Sequence, residues 1–463
     1  MFNCAYLGTT SIVMPHIIDY YALKEEEQNG IVSEYQIPIN FAPNKEENDQ
    51  NKLRVLSLFS GCGGMDIGFE GGFIAHKKSF SPNSNWIDHI IDDEWIYLKK
   101  NRFTTVFAND ILSEAQVAWT RYMSKYHTGE DTYHLASIVD LVKMHNQGAK
   151  IFPENIDIVT GGFPCQDFSV AGKRKGFESQ KDHEGKKRSE NIPTEESRGK
   201  LYYWMKQVID ITHPKIFIAE NVKGLVSLGD VKDIIQRDFA SAHGNGYIVL
   251  PPQILHAGNY GVPESRERVI FIGIRIDALC PKALEALSQE NIPQQYNPYP
   301  PITHACTTHD EGLLPIVTTS DVLSSLPEPS DAIDPAQRVY SKAKYLGNRC
   351  QGQTEIQLNN LGPTIRSEHH GNIEFRRLSS EHGGTHTEEL LSGLEERRLT
   401  VRECALIQTF PPDYRFIIHK TEGRGFLLSS SGAYKIIGNA VPPVLAYHIA
   451  KRLEEVWPIY FEK

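Results

Sequence analysis

Short runs of apolar, mostly β-branched or aromatic residues recur through the middle of the chain: LRVLSLF (53–59), TTVFAND (104–110), IDIVTGG (156–162), KIFIAEN (215–221) and RVIFIGIRI (268–276). Each is nearly continuous rather than alternating, which predicts strands buried on both faces of a sheet. Helix-compatible stretches separate them, so the sheet is expected to be parallel and doubly wound, an α/β Rossmann-like fold. Ligands of such a sheet bind beyond the C-terminal ends of its strands. From 281 to 395 the periodicity fades and Pro, Gly, Ser, Thr and Asn accumulate, which predicts a smaller, irregular second domain. Order returns in LTVRECALIQTF (399–410) and KIIGNAVPPVLAYHIAKRLEEVW (435–457), the latter reading as a helix begun near two prolines. The expected division is an extension over 1–50, an α/β domain over 51–276 completed by 432–463, and the irregular domain over 277–431.

With 463 residues, the chain is long enough for two or three domains. Its formal charge of −10 argues against a nucleic-acid partner, because such proteins usually carry a basic footprint. The charge is uneven, however. Residues 1–50 hold only Lys24 and Lys45 against eight acids, so the other 413 residues carry just −4. The seven cysteines are odd in number, widely spaced and without a CxxC, which disfavours a disulfide framework or a four-cysteine zinc site. His304, Cys306 and His309 are too few for a convincing metal centre. No apolar stretch is long enough for a membrane span, and no secretory leader is recognisable, so a reducing cytoplasm is the expected location.

Four segments bear chemistry, and each sits at the C-terminal end or the start of an expected strand. FSGCGGMDIGFEGGF (59–73) follows the first strand. Gly61, Gly63 and Gly64 permit a tight turn and close backbone approach to a ligand. It is neither a P-loop nor GxGxxG, since Asp66 stands where the third glycine would be. Asp110 at the tip of the second strand suits a ribose diol; a solvated acid is the plainer reading. GGFPCQDFSVAGKRKGF (161–177) places Cys165 after Pro164 with Lys173, Arg174 and Lys175 nearby. A thiolate there suits a nucleophile, against the commoner fate of a buried structural cysteine. In AENVKGL (219–225), Glu220 follows an apolar run, where partial desolvation raises a carboxyl pKa; a turn acid is the alternative. GVPESRERVIFIGIR (261–275) puts Arg266 and Arg268 on one face of a strand, suited to an anion or a base edge, or simply to edge-strand salt bridges.

Together, in this order, the four segments resemble the cytosine carbon-5 DNA methyltransferase family. The glycine loop resembles its S-adenosylmethionine motif, PCQ its catalytic-cysteine motif, ENV its catalytic-glutamate motif and ESRER its paired-arginine motif. SRGKLYYWMKQVI (197–209), RRLTVRECALIQTFP (397–411) and GNAVPP (438–443) match further family segments. The resemblance implies that Cys165 attacks carbon 6 of a cytosine and that Glu220 holds the ring nitrogen and amino group. Arg268, with Arg266 in support, would contact the base and keep the pocket ordered. It also implies a flipped-out base, because the target atoms are inaccessible in a duplex. Phe59 would stack on the adenine of S-adenosylmethionine, with Ile111 beside it, and Asp110 would bind the ribose. Gly61, Gly63 and Gly64 would let the backbone approach, and Pro164, Asn439 and Val441 would complete the pocket. Gln166, Ser169, Lys173, Arg174 and Lys175 would touch DNA from a closing loop.

Three departures from the family pattern stand out. Ser137 in ASIVDL occupies the place of a usual acid, with Asp140 nearby; Glu264 opens the arginine motif in place of Gln; and 179–196 inserts a charged stretch. The irregular domain would recognise the target sequence. Residues 338–377 carry +4, and Arg366, Arg376 and Arg377 are the expected DNA contacts there. The implied activity is methylation of double-stranded DNA by a monomer, paired with a restriction endonuclease of the same site. An RNA cytosine-5 methyltransferase, acting on tRNA, and a catalytically silent DNA-binding protein are the alternatives.

Overall fold

A computed structural model describes residues 52–127, 132–164, 201–227, 230–307, 311–347, 350–367, 373–421 and 424–462. The 1–50 extension, Cys165, Gln166, Ser169, Lys173, Arg174, Lys175, the 179–196 insert and His309 lie outside the described residues.

The five predicted strands form, and they share one sheet. In chain order the elements are β1 (Leu53–Leu58), α1 (Gly64–Glu70), β2 (Ile74–His76), β3 (Ile87–Ile90), β4 (Trp95–Leu98), β5 (Phe103–Asp110), α2 (Ser113–Met123), β6 (Tyr133–Leu135), α3 (Ile138–Asn146) and β7 (Ile158–Gly161). They continue with α4 (Leu201–Thr212), β8 (Ile216–Val222), α5 (Val231–Ala240), β9 (Tyr247–Val249), β10 (Gln253–His256) and β11 (Glu267–Arg275). The sheet order is β10-β11-β8-β7-β1-β5-β6, with β9 also on β11. The fold is a mixed α/β, Rossmann-like arrangement dominated by parallel strands.

Alternation along the strands explains the near-continuous apolar runs. Ile216 and Ile218 of β8, and Ile270, Ile272 and Ile274 of β11, bury into one core. Phe217, Ala219, Val269 and Phe271 from the same strands bury into the other, against α3 and α4. Both faces are covered, so neither can be polar. The expectation of a wholly parallel sheet fails at β11, which runs antiparallel to β8 with Ile270 opposite Glu220. Strand direction is invisible in a run apolar on both faces, and mixed sheets commonly carry such an antiparallel strand at one side.

The stretch between β1 and β5 holds more than the expected helix. β2, β4 and β3 form a separate antiparallel sheet between α1 and β5. Beyond β11 the chain forms short helices and isolated bridges, including α6 (Thr319–Leu323), β12 (Phe375–Arg377) and β13 (Arg397–Arg398). A capping box between Thr400 and Glu403 then starts α7 (Val401–Ile407). A hairpin of β14 (Ile418–His419) and β15 (Phe426–Leu428) precedes two helices rather than the one expected. α8 (Ser430–Asn439) ends before Pro442, and α9 (Pro443–Phe461) starts on Pro443 at its first turn. Pro cannot continue the first helix but is well placed to open the second. α9 returns to pack on α1, where a Cβ on Gly68 would lie 2.4 Å from the Ala446 Cβ. No helix of the described residues is long and apolar enough to cross a membrane.

Candidate active site

Two strand tips lie side by side. β7 and β8 are parallel neighbours with Gly161 opposite Ala219, so Glu220 stands next to the start of the PCQ segment. Asn221 Nδ2 donates to the Phe163 carbonyl at 3.0 Å and fixes the two tips together. A Cβ on Gly162 would sit 2.8 Å from Glu220 Oε2, so the close approach of that backbone requires glycine. Pro164, half-buried, is the last described residue before Cys165.

Arg268 reaches Glu220 from the antiparallel neighbour, Nε to Oε1 at 2.7 Å. Both side chains are about nine-tenths buried, at 11% and 10% exposure. Burial pushes the Glu220 carboxyl above its ordinary range, while the charges of Arg268 and then Arg266 pull it back. A desolvated carboxylate aligned by a guanidinium presents an acceptor edge and a donor edge to one planar, polar group.

Arg266 has another job than the catalytic one expected for it. It is fully buried, and Nη1 donates to the Ile365 carbonyl at 2.9 Å. Nη2 donates to the carbonyls of Gly438 at 2.9 Å and Ala440 at 2.7 Å. It thus satisfies the carbonyls on either side of Asn439 and belongs to the scaffold rather than to a base pocket. Glu264, the departure from Gln, balances this charge: Oε1 accepts from Arg266 Nη1 at 3.2 Å and from the Ile365 amide at 2.7 Å. Burial raises its carboxyl pKa, against the opposing charge of Arg266.

The glycine loop forms a second cluster of candidate residues at the tips of β1, β5 and β6. Phe59 has φ 53 and Gly61 φ 54, both left-handed. The turn is stitched to β5 by Ser60 N donating to Asn109 O at 2.8 Å and Gly61 N to Asp110 Oδ2 at 3.1 Å. Asp110 Oδ1 accepts from the amides of Ile111 and Leu112 at 2.7 and 3.0 Å. Burial raises the Asp110 pKa; those amides and, more weakly, Lys435 of α8 hold it down. A Cβ on Gly61 would meet nothing within 4 Å, so space opens beside the loop. Ile111 is 44% exposed and Asn439 is exposed, whereas Val441 is buried with its carbonyl against Gly64. Open space over a glycine turn, a carboxylate held by amides and an exposed apolar side chain fit an adenosyl group with its ribose. Gly63 (φ 83) is also left-handed, and a Cβ there would strike the Trp119 ring at 2.8 Å. Asp66 is committed locally: Trp119 Nε1 donates to it at 2.6 Å, and burial pushes it up to about 6. Ser137 caps α3 by accepting from Val139 N, and Asp140 is exposed in the same first turn.

The expected DNA contacts of Arg376 and Arg377 are overturned. Arg377 is 1% exposed and pairs with Glu389 at 2.5 Å and Glu328 at 3.2 Å. Arg376, at 11%, pairs with the same Glu389 at 2.8 Å. Arg397 joins Glu328 at 3.0 Å to Glu403 at 2.9 Å, so these groups make one network whose arginines are buried while Glu328 and Glu389 stay about a quarter exposed. Arg366 pairs with Glu374 at 2.7 Å and stays 29% exposed. Sequence reasoning missed Asn221, which holds Phe163, and Lys435, which acts on Asp110. Their only signal is placement, one residue past Glu220 and four before Asn439.

A sequence model of the family described as C-5 cytosine-specific DNA methylase matches residues 53–455. The type II methyltransferase M.BspRI of Lysinibacillus sphaericus is 31% identical over 422 residues, 88% of this chain and 82% of that protein. M.BsuRI of Bacillus subtilis is 30% identical over 424 residues, 89% and 81%. A Spodoptera frugiperda DNMT2 mutant matches in structure with a TM-score of 0.51 at 17% identity, over 87% of this chain and 99% of that one, a likeness of fold.

Proposed function

The chain belongs to the C-5 cytosine-specific DNA methylase family, and from that premise we propose that it methylates carbon 5 of a flipped-out cytosine within a specific duplex sequence, as the modifying half of a type II restriction–modification pair. The Glu220–Arg268 pair beside the PCQ strand carries this reading. Cys165, on the segment that Asn221 anchors at Phe163, adds through sulfur to carbon 6 of the cytosine. The electron pair released into the ring makes carbon 5 nucleophilic. Glu220 holds the ring nitrogen and the exocyclic amino group, and Arg268 orders Glu220 and faces the base, so charge built up in the adduct is met by groups already in place. After carbon 5 is methylated, a base (water in the simplest case) takes its proton, the carbon–sulfur bond breaks and the thiolate leaves.

The family generally uses S-adenosylmethionine, which supplies an electrophilic methyl group when bound. Phe59, Gly61, Gly63, Gly64, Asp110, Ile111, Pro164, Asn439 and Val441 would hold it. The region 277–431 would read the sequence, and Gln166, Ser169, Lys173, Arg174 and Lys175 would contact the DNA around the extruded base.

Incubating unmethylated duplex DNA with the protein and S-adenosylmethionine, then bisulfite sequencing, reports reaction and site together. Cys165→Ala should abolish transfer while calorimetry still detects cofactor binding, and duplexes containing 5-fluorocytosine should trap the wild type covalently. Residual transfer by Cys165→Ala overturns the nucleophile assignment. Transfer to tRNA but not to duplex DNA overturns the substrate.

A further inference from the structure

The small β2-β4-β3 sheet has no part in the chemistry above, yet its contacts are unevenly placed. The excursion leaves and returns at one point: Gly72 N donates to Lys99 O at 3.1 Å and Asn101 N to Glu70 O at 2.8 Å. Its far strand faces solvent, with Asp88 and His89 exposed and Ile90 at 73%. Its other side rests on α9, where Phe80 stacks on His448 at 5.5 Å and Trp86 meets Tyr447 edge-on at 5.9 Å.

The polar links concentrate in the turn after β2. Ser79 Oγ, 1% exposed as a residue, donates to the Gly261 carbonyl at 2.7 Å. The Lys78 carbonyl lies 3.0 Å from Nε2 of the fully buried His304, and Lys78 Nζ pairs with Asp321 of α6 at 2.5 Å. Gly261 has φ +76, and a Cβ there would lie 2.6 Å from Ser79 O and 2.7 Å from His304 Cε1. Three chain segments therefore meet where no side chain fits between them. Gly261 opens the lead-in to Glu264, Arg266 and Arg268. The opposite side of that lead-in is gripped by the 360s: Gly362 N donates to Pro263 O at 2.9 Å and Ser265 N to Gly362 O at 2.8 Å.

We propose that the turn 77–79 is a positioning brace that sets the recognition region, through His304 and Asp321, against the Gly261–Arg268 segment, and so couples correct docking of the target sequence to the base pocket. This rests on the reading of Glu220 and Arg268 as that pocket. Lys78 is largely exposed, so its ion pair alone is weak. The buried Ser79–Gly261–His304 junction carries the alignment, and Ser79 acts through Gly261 without touching substrate.

Ser79→Ala removes the hydroxyl bond at little cost in volume, and Ser79→Thr keeps it. Bisulfite sequencing of a methylation-free genome defines the wild-type site and counts methylation outside it. Steady-state kinetics on a duplex carrying that site then separate KM from kcat. For Ser79→Ala, and more so for Lys78→Ala/Ser79→Ala, the KM for DNA should rise about tenfold and off-site methylation several-fold. The kcat at saturating DNA and calorimetric affinity for S-adenosylhomocysteine should stay within twofold, and Ser79→Thr should recover the wild-type spectrum. An unchanged KM and site spectrum in Ser79→Ala overturns the brace, even if Tm falls. An equal loss of cofactor affinity, or failure of Ser79→Thr to rescue, also overturns it, because either marks general loosening. Arg268→Ala runs beside these variants. If it leaves kcat intact, the base-pocket reading fails, while the Ser79 result still reports whether recognition depends on the turn.

Discussion

Removing the Arg268 guanidinium should make the stability of this protein depend on pH in a way that only Glu220 can explain. In the wild type the two groups meet at 2.7 Å with about a tenth of each exposed, so solvent screening is slight. Burial already raises the Glu220 pKa against the pull of Arg268, the largest opposing influence. Breaking a buried pair from one side typically costs about 3–5 kcal/mol, because the remaining charge is left desolvated. A carboxyl whose folded pKa is raised contributes stability that is fully present below its unfolded pKa and is lost as pH rises through the folded value. In Arg268→Ala the folded pKa climbs further, so that loss shifts toward neutral pH. The deficit relative to wild type should therefore be about 3–5 kcal/mol at pH 8. It should shrink by roughly 1.4 kcal/mol per pH unit once the pH falls below the variant's Glu220 pKa. Urea unfolding followed by circular dichroism at three pH values between 5 and 8 measures this, and titrations common to both proteins cancel in the difference. Glu220→Gln/Arg268→Ala should lose the extra pH dependence. A deficit equal at pH 5 and pH 8, or one that persists in the double variant, would refute the reasoning.

Two other substitutions separate scaffold from interface. Arg377→Ala should cost about 0.5–3 kcal/mol in urea unfolding, since Glu328 and Glu389 each lose one arginine but keep Arg397 and Arg376 and are about a quarter exposed. It should leave the salt dependence of DNA binding by fluorescence anisotropy unchanged, whereas losing a phosphate contact would lower the slope by about one. Gly64→Ala should weaken cofactor binding at least ~10-fold by calorimetry, equivalent to ~1.4 kcal/mol. Its Cβ would lie 2.2 Å from the Val441 carbonyl and push the GNAVPP segment off α1.

What could be read from the sequence was what depends on local pattern. Strands buried on both faces announce themselves as apolar runs, and the residues ending them, Asp110, Pro164 and Glu220, fall at strand tips because chemistry in this fold collects there. The direction of β11 was not legible, since a strand reads the same either way when both faces are apolar. Nor was the β2-β4-β3 sheet: its strands are three or four residues long and β3 is mostly exposed. Arg266 and Arg268 look equivalent in ESRER. What divides them is nonlocal, for Arg266 meets carbonyls at 365, 438 and 440 while Arg268 meets Glu220.

The same nonlocality accounts for the failed DNA contacts. The window 338–377 carries +4 and looks like a basic surface, but its flanks 328–337 and 378–403 carry −3 each, so 328–403 as a whole is −2. The fold brings those flanking acids inward. Glu328 and Glu389 enclose Arg377, and Glu389 also takes Arg376. A charge count over a window weighs a buried, paired arginine as heavily as a free one, although only a charge facing solvent can displace counterions from DNA. Lys342 and Lys344 remain exposed in the window, Lys342 lying 3.5 Å over the Tyr340 ring. Among the described residues of the window, the charges that face solvent are those of Arg338, Lys342, Lys344 and, in part, Arg366. The net acidity of the chain is compatible with that arrangement, because Arg376, Arg377 and Arg397 are spent on Glu328, Glu389 and Glu403, holding 328–403 in shape.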